Sequence, residues 1–269
     1  MPIELTNENY HSIEMRQAYM SYSQFKMFCE CEVQALAYIR GEYERPLTEA
    51  LLFGSWVDAH FSGEEEQFIA ENKDKLYSPK TGQIYAAFKG VQKVIDFIES
   101  DPVWSKYWKL GQHQRIMTGV IAGVVFKIKM DAYFPGKVII DWKCMKDMAD
   151  VWIDTLKKYA NFIIAYRYDL EGAIFREIES QNSETHEKLP FVLSVVTKEE
   201  YPDKELIEIE GKYLDVALQE VIEKAPRFQR IKMGLEEPVG CGKCPVCRMK
   251  KKITGIKSYE KLFLIKEGE

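Results

Sequence analysis

Asp131, Asp141 and Lys143 are the residues of this 269-residue chain whose types and spacing could do chemistry together. They lie in Lys129-Met-Asp131-Ala-Tyr-Phe-Pro-Gly-Lys-Val-Ile-Ile-Asp141-Trp-Lys143, where the apolar run 138–140 reads as a strand. Asp141 and Lys143 are two apart on it, so both side chains leave the same face. Asp131 belongs to the preceding strand, across the Pro135-Gly136 turn. Two carboxylates and one ammonium on a sheet face suit phosphodiester hydrolysis. The carboxylates would hold Mg²⁺, a hard cation that activates water and offsets phosphate charge. The lysine would stabilise the transition state. The plain alternative is a salt bridge at a strand end. Two further acid-x-Lys triplets, Glu71/Lys73 and Glu210/Lys212, lack the flanking β run.

Sharing a metal requires Asp131 and Asp141 to face the same side, and a one-residue slip would part them. A two-residue Pro135-Gly136 loop would pair Asp131 with Ile140 and leave Asp141 on the wrong side. Such loops also want positive φ at their first position, which proline cannot adopt. The sequence therefore predicts an odd loop or a bulge around Phe134–Lys137, with Gly136 taking any left-handed conformation.

A second constellation is Cys241-Gly-Lys-Cys244-Pro-Val-Cys247. Three thiols at this spacing suit a metal better than disulfides, and a tetrahedral or cluster site wants a fourth. The N-terminal region offers Cys29 and Cys31. Cys144, beside Lys143, reads as a buried apolar residue.

These groups must be positioned by a globular fold. The chain is 46% hydrophobic and 29% charged, which excludes a disordered or low-complexity protein. Its longest apolar stretch, Val120–Phe126, is far short of the roughly 20 residues a membrane span needs. The N-terminal residues MPIELTNENY carry no signal-like pattern, so a cytosolic protein is expected. Net charge is −5, but the segment from Lys224 onward carries 12 Lys/Arg against 5 Glu. Such a basic tail could approach a polyanion. Helices are expected over 22–41, 48–61, 84–100, 161–180 and 211–230, with Asp101-Pro102 ending the third. Three antiparallel strands are expected between His113 and Lys143, followed by strands at 191–197 and 205–209. The chain reads as one α/β domain: a mainly helical part over 1–105, a core over 106–232, and a cysteine knuckle with a basic tail over 233–269.

In this order the motifs resemble the PD-(D/E)xK nuclease superfamily, and more closely the phage-type exonucleases related to exodeoxyribonuclease VIII and RecB-like nuclease domains. The resemblance runs from about Ser21 to Arg248. Asp131 matches the first acid, with Met130 replacing the usual proline, and Asp141-Trp142-Lys143 matches the D-x-K element. Tyr168-Asp-Leu-Glu171-Gly-Ala-Ile-Phe175 matches the Q-x-x-x-Y helix, with Glu171 for Gln and Phe175 for Tyr. Gly54-Ser-Trp-Val-Asp58 matches G-x-x-x-H, with Asp58 in the His position; Asp is also a sound ligand for Mg²⁺ or Mn²⁺. His60, two residues on, points elsewhere. His11, His113 and His186 form no supporting pattern.

The resemblance implies a restriction-endonuclease-like core, with a central mixed sheet containing an antiparallel meander and flanked by helices. It implies that Asp131, Asp141, Lys143 and Glu171 are catalytic, and that Asp58, Asp131, Asp141 and the Trp142 carbonyl hold the metal. In cluster-bearing relatives one N-terminal cysteine joins three near the C-terminus, and Ser23 to Cys31 reproduces the family's spacing. Cys31 is then the fourth ligand, with Cys29 the alternative, around [4Fe–4S] or Zn²⁺. The implied protein is a bacterial or phage-encoded, Mg²⁺-dependent deoxyribonuclease acting on ends of linear DNA. It could be homo-oligomeric or work with a single-strand annealing protein. No G-x-x-x-x-G-K-[ST] motor element is present. The substitutions at Asp58, Glu171 and Phe175 keep a second reading open: a catalytically silent nucleic-acid-binding module on the same fold.

Overall fold

The computed structural model describes residues 4–154, 156–253, 255–256 and 258–259. The last ten residues of the basic tail therefore lie outside the described residues. The helices are α1 (Ile13–Ala18), α2 (Tyr22–Glu30), α3 (Glu32–Ile39), α4 (Glu49–Ser62), α5 (Glu65–Leu76), α6 (Val91–Glu99), α7 (Pro102–Leu110), α8 (Phe162–Tyr166), α9 (Tyr168–Asn182), α10 (Gly211–Lys232) and α11 (Pro245–Met249). The strands are β1 (Gln112–Ile121), β2 (Val124–Phe134), β3 (Val138–Met145), β4 (Val151–Ile153), β5 (Lys158–Ala160), β6 (Phe191–Thr197) and β7 (Lys204–Ile209).

Five strands form one mixed sheet in the order β1-β2-β3-β6-β7. The first three make the expected antiparallel meander, β6 runs parallel to β3, and β7 is antiparallel to β6. The parallel step needs a crossover, and α9 supplies it. Strand β3 is buried on both faces. Ile139 packs into a large core with α2, α9 and α10, whereas Trp142 packs with α4, α6 and α7. This double burial explains the apolar run that flags the strand.

The β2–β3 connection has the predicted odd length. Phe134 pairs with Val138, leaving three residues between the strands. Lys137 N–H donates to the Phe134 carbonyl at 2.9 Å, and Gly136 has φ +67°. With proline at the second position and glycine at the third, this is the arrangement of a type II turn. The paired register ends at Ala132 opposite Ile140, one step short of Asp131 and Asp141, where the Trp142 N–H meets the Asp131 carboxylate instead.

Several expected elements differ. The helix expected over 22–41 breaks at Cys31, which is extended at φ −167° and ends α2 while starting α3. The helix expected over 161–180 breaks at Arg167, which is left-handed at φ +63° and ion-pairs with Asp169 and Glu220. The helix expected from Ile84 begins at Val91, after a short 3₁₀ turn over Ala86–Phe88. Asp101-Pro102 ends α6 but also starts α7: the Asp101 carboxylate accepts from the Val103 and Trp104 amides, and Pro102 takes the first turn. Helices α1, α5 and α11 and the β4–β5 hairpin lie outside the expected elements. Among the described residues no helix is long and apolar enough to cross a membrane.

Candidate active site and cysteine centre

Asp58, Asp131, Asp141, Trp142, Lys143 and Glu171 line one cavity of about 330 Å³ at the seam between the two cores. Strand β3 contributes Asp141 and Lys143, β2 contributes Asp131, α4 contributes Asp58, and the first turn of α9 contributes Glu171. All the candidate catalytic residues named from sequence therefore come together.

Lys143 Nζ stands 2.5 Å from Asp141 Oδ2 and 3.1 Å from Glu171 Oε2. These two buried oxygens have no other partner. The Tyr168 ring lies 5.1 Å from the same ammonium. Burial alone would lower the Lys143 pKa, but Asp141, Glu171 and Asp131 around it raise it well above the usual lysine value. Lys143 is thus a fixed cation and donor, not a proton acceptor. Burial and the neighbouring Asp141 charge push Glu171 up to about 7, against the pull of Lys143. Desolvation first, then Asp141 and Asp58, raise Asp131. Asp58, accessible at the cavity mouth, is raised by desolvation in the cleft and by Asp141, although Lys129 and Lys143 counter this. Carboxylates that raise one another in this way suit a cation between them. The donor set is all hard oxygen, as Mg²⁺ prefers, and a Mg²⁺ that keeps several waters needs only one or two carboxylates.

Asp131 is held by contacts that its sequence position did not reveal. Its Oδ2 accepts from the Trp142 N–H at 2.8 Å, and its Oδ1 from Gln114 Nε2 at 3.5 Å. Gln114 has φ +51°, and the β1–β2 ladder skips the Gln114/Asp131 step. Met130 and Tyr133, three apart, both pack into the same core, so side-chain alternation is interrupted at Asp131. Strain and an irregular strand thus sit directly at a candidate metal ligand. His60 does turn away from the cavity, to Glu65 at 2.6 Å and Glu99 at 3.3 Å.

The second centre joins the chain ends. The sulfurs of Cys31, Cys241, Cys244 and Cys247 all lie within 4.8 Å of one another. Among the described residues they are the one group that brings three or more metal-ligating atoms so close. The break at Cys31 lets α2 and α3 present its thiol to the knuckle. Cys29 stands apart and contacts Glu220, whereas the Cys31 sulfur lies 3.6 Å from that of Cys247. Amides of the knuckle donate to sulfur: Cys244 to Cys241 at 3.2 Å and Cys247 to Cys244 at 3.4 Å. A Cβ at Gly240 would stand 3.0 Å from Cys247 Sγ, so the tight approach favours glycine. Desolvation opposes thiolates here, yet the Lys243 and Cys244 amides bring Cys241 down to about 6. Cys144 is half-buried against the aromatic side of β3, as a small apolar residue would be.

Over residues 21–250 the chain matches the family described as a PDDEXK-like domain of unknown function (DUF3799). A crystal structure of a protein from Eubacterium rectale, described as a "putative exonuclease", is similar over 99% of this chain and 100% of its own. Their identity is 36% and the TM-score 0.90. The solved structure of SSO0001 is far more remote, with 12% identity and a TM-score of 0.28 over 80% of this chain and 95% of its own. No curated protein matches. With the family matched across most of its length and the acidic cavity built on its sheet, the chain belongs to the PDDEXK-like DUF3799 family, within the PD-(D/E)xK nuclease superfamily.

Proposed function

We propose that the protein is a Mg²⁺-dependent deoxyribonuclease, an exonuclease acting on the ends of linear DNA in phage-type recombination or repair. The observation that carries this is the convergence of Asp131, Asp141, Lys143 and Glu171, from three separate elements, on one cavity. Asp131, Asp141, Asp58 and the Trp142 carbonyl are the groups that would hold Mg²⁺, or Mn²⁺ in its place. When bound, the ion supplies a more acidic water and charge stabilisation at the phosphate.

The chain's own residues do the rest. Lys143 stays protonated and donates to a non-bridging phosphate oxygen as negative charge builds there. Asp141 and Glu171 hold that ammonium in place, and Trp142 and Gln114 fix the Asp131 carboxylate. Glu171, in the first turn of α9, sits where the helix dipole eases the cost of a buried carboxylate.

At the cysteine centre the thiolates of Cys31, Cys241, Cys244 and Cys247 would hold Zn²⁺ or a [4Fe–4S] cluster, which would tie the N-terminal helices to the C-terminal knuckle. Incubating linear and circular DNA with Mg²⁺, with EDTA as control, tests the whole reading. Loss of linear DNA with Mg²⁺ alone supports it; binding without cleavage of either substrate would instead make this a silent module.

A further inference from the structure

The cavity that holds the carboxylates opens beside a second one of about 250 Å³, and Asp58, Lys129, Asp131 and Glu171 border both. Away from those shared acids, the second cavity is lined by cations and hydroxyls: Arg16 and Lys127, with Ser21, Ser23 and Tyr10. Its cations differ in what they have left to give. Lys127 is buried and donates to the Tyr10 carbonyl. Arg16 is spent on Glu44 and the His11 carbonyl. Lys143, in the first cavity, has two of its three donors on Asp141 and Glu171. Among the described residues the Lys129 ammonium has no hydrogen bond and no carboxylate at ion-pair distance; the Tyr10 ring lies 5.5 Å away, and Asp58 feels its charge from farther off.

We propose that Lys129 is a second phosphate-binding lysine, which holds the phosphate next to the scissile one as the substrate strand runs from the carboxylate cavity into the cavity lined by Arg16 and Lys127. The proposal rests on the nuclease reading above and adds a binding role beside that of Lys143, whose one donor left over from Asp141 and Glu171 serves the scissile phosphate. Lys129 sits two residues before Asp131, a strand rise of about 7 Å, comparable to the step between neighbouring phosphates. A partly buried ammonium with three unspent donors is costly unless something accepts from it. A phosphate oxygen is the acceptor that a nucleic-acid strand would bring. Arg16 and Lys127 provide positive potential behind it. His11 reports that potential: burial first, then Lys129, Lys127 and Arg16, push its imidazole down to about 4. Tyr22 and Ser23, in the first turn of α2, line the same cavity, and a helix leaves its first N–H groups without internal partners.

The test measures binding of linear DNA by fluorescence anisotropy across a KCl series, with Ca²⁺ replacing Mg²⁺ to prevent cleavage, beside steady-state kinetics in Mg²⁺. Lys129→Met should lower the salt slope of log K by about one phosphate's worth. It should raise KM by about tenfold while kcat changes much less. Lys129→Arg should keep the wild-type slope. Lys143→Met should lose kcat with the slope unchanged. If Lys129→Met fails to fold by circular dichroism, Lys129→Gln takes its place in the same comparison. A wild-type slope and KM in Lys129→Met, with wild-type enzyme active, would overturn the inference alone. A fall in kcat without a change in KM would overturn it too, placing Lys129 on the scissile phosphate. Wild-type protein that neither binds nor cuts DNA would overturn the nuclease reading itself.

Discussion

Removing one ligand of the cysteine centre should loosen the tie between the two ends of the chain, and its size can be worked out. Cys31 and Cys241 are 210 residues apart, so a metal held by the quartet would close a loop of that length. A cross-link of this span restricts the unfolded chain by roughly 5 kcal/mol on the loop-entropy relation. For a chain of this size, that is a fall of about 10–20 °C in Tm. The figure is an upper bound, because other contacts also seat the knuckle. Val246 is buried, and Glu32 accepts from the Val239 amide at 2.7 Å while pairing with Arg227. Cys31→Ser should therefore melt about 10 °C below the metal-loaded wild type, and stripping the wild-type metal with a chelator should reproduce the loss. Cys29→Ser, outside the quartet, should stay within about 0.5 kcal/mol of wild type. Calorimetric melts with metal analysis of each preparation decide it. Equal melting of Cys31→Ser, Cys29→Ser and wild type, with no zinc or iron bound, would refute the reasoning.

Lys143→Ala should cut the turnover of linear DNA by about 10²–10³-fold, the loss of one transition-state donor, with circular dichroism unchanged; a near-normal rate would remove Lys143 from the chemistry. Because the Glu171 pKa is raised in the fold to about 7, this carboxyl binds its proton more tightly folded than unfolded. Its contribution to metal-free stability is thus greatest below the unfolded Glu value and is lost as pH rises toward 7; denaturant melts of Glu171→Gln should lack that slope between about pH 4.5 and 7. His60 carries the opposite group type: burial lowers its pKa, but Glu65 and Glu99 raise it further, to a net value above the usual one. The stability it adds is present below about pH 6.5 and lost as pH rises through its folded pKa, so His60→Gln should cost stability at pH 6 and little at pH 9. Urea titrations at the two pH values would show it.

Local chemistry made part of this molecule legible in its sequence. The turn between β2 and β3 could be sized because proline and glycine each admit few backbone conformations, and that size sets the register from Phe134 to Ala132. The cysteine spacing is equally local. The helix breaks at Cys31 and Arg167 were not legible, because nothing nearby forbids helix there. Cys31 is extended where its thiol meets the knuckle, and Arg167 turns left-handed where its guanidinium meets Glu220, 53 residues away. Asp101-Pro102 reads from sequence as a stop, and the same pair is also a strong helix start, as α7 shows. The irregular step at Gln114 and Asp131 and the cationic second cavity depend on elements far apart in the chain. Lys129 stood inside the most informative segment, but its role depends on which cations around it are already paired.

The central claim is that the Asp131–Asp141–Lys143 cavity cuts DNA with a divalent ion. Cleavage of end-labelled linear DNA by wild type and Asp141→Asn, each with Mg²⁺ and with EDTA, tests it most directly. The account predicts Mg²⁺-dependent loss of the linear substrate with wild type, and none with a folded Asp141→Asn protein. Undiminished turnover by Asp141→Asn, or no cleavage by wild type that binds the same DNA, would contradict it.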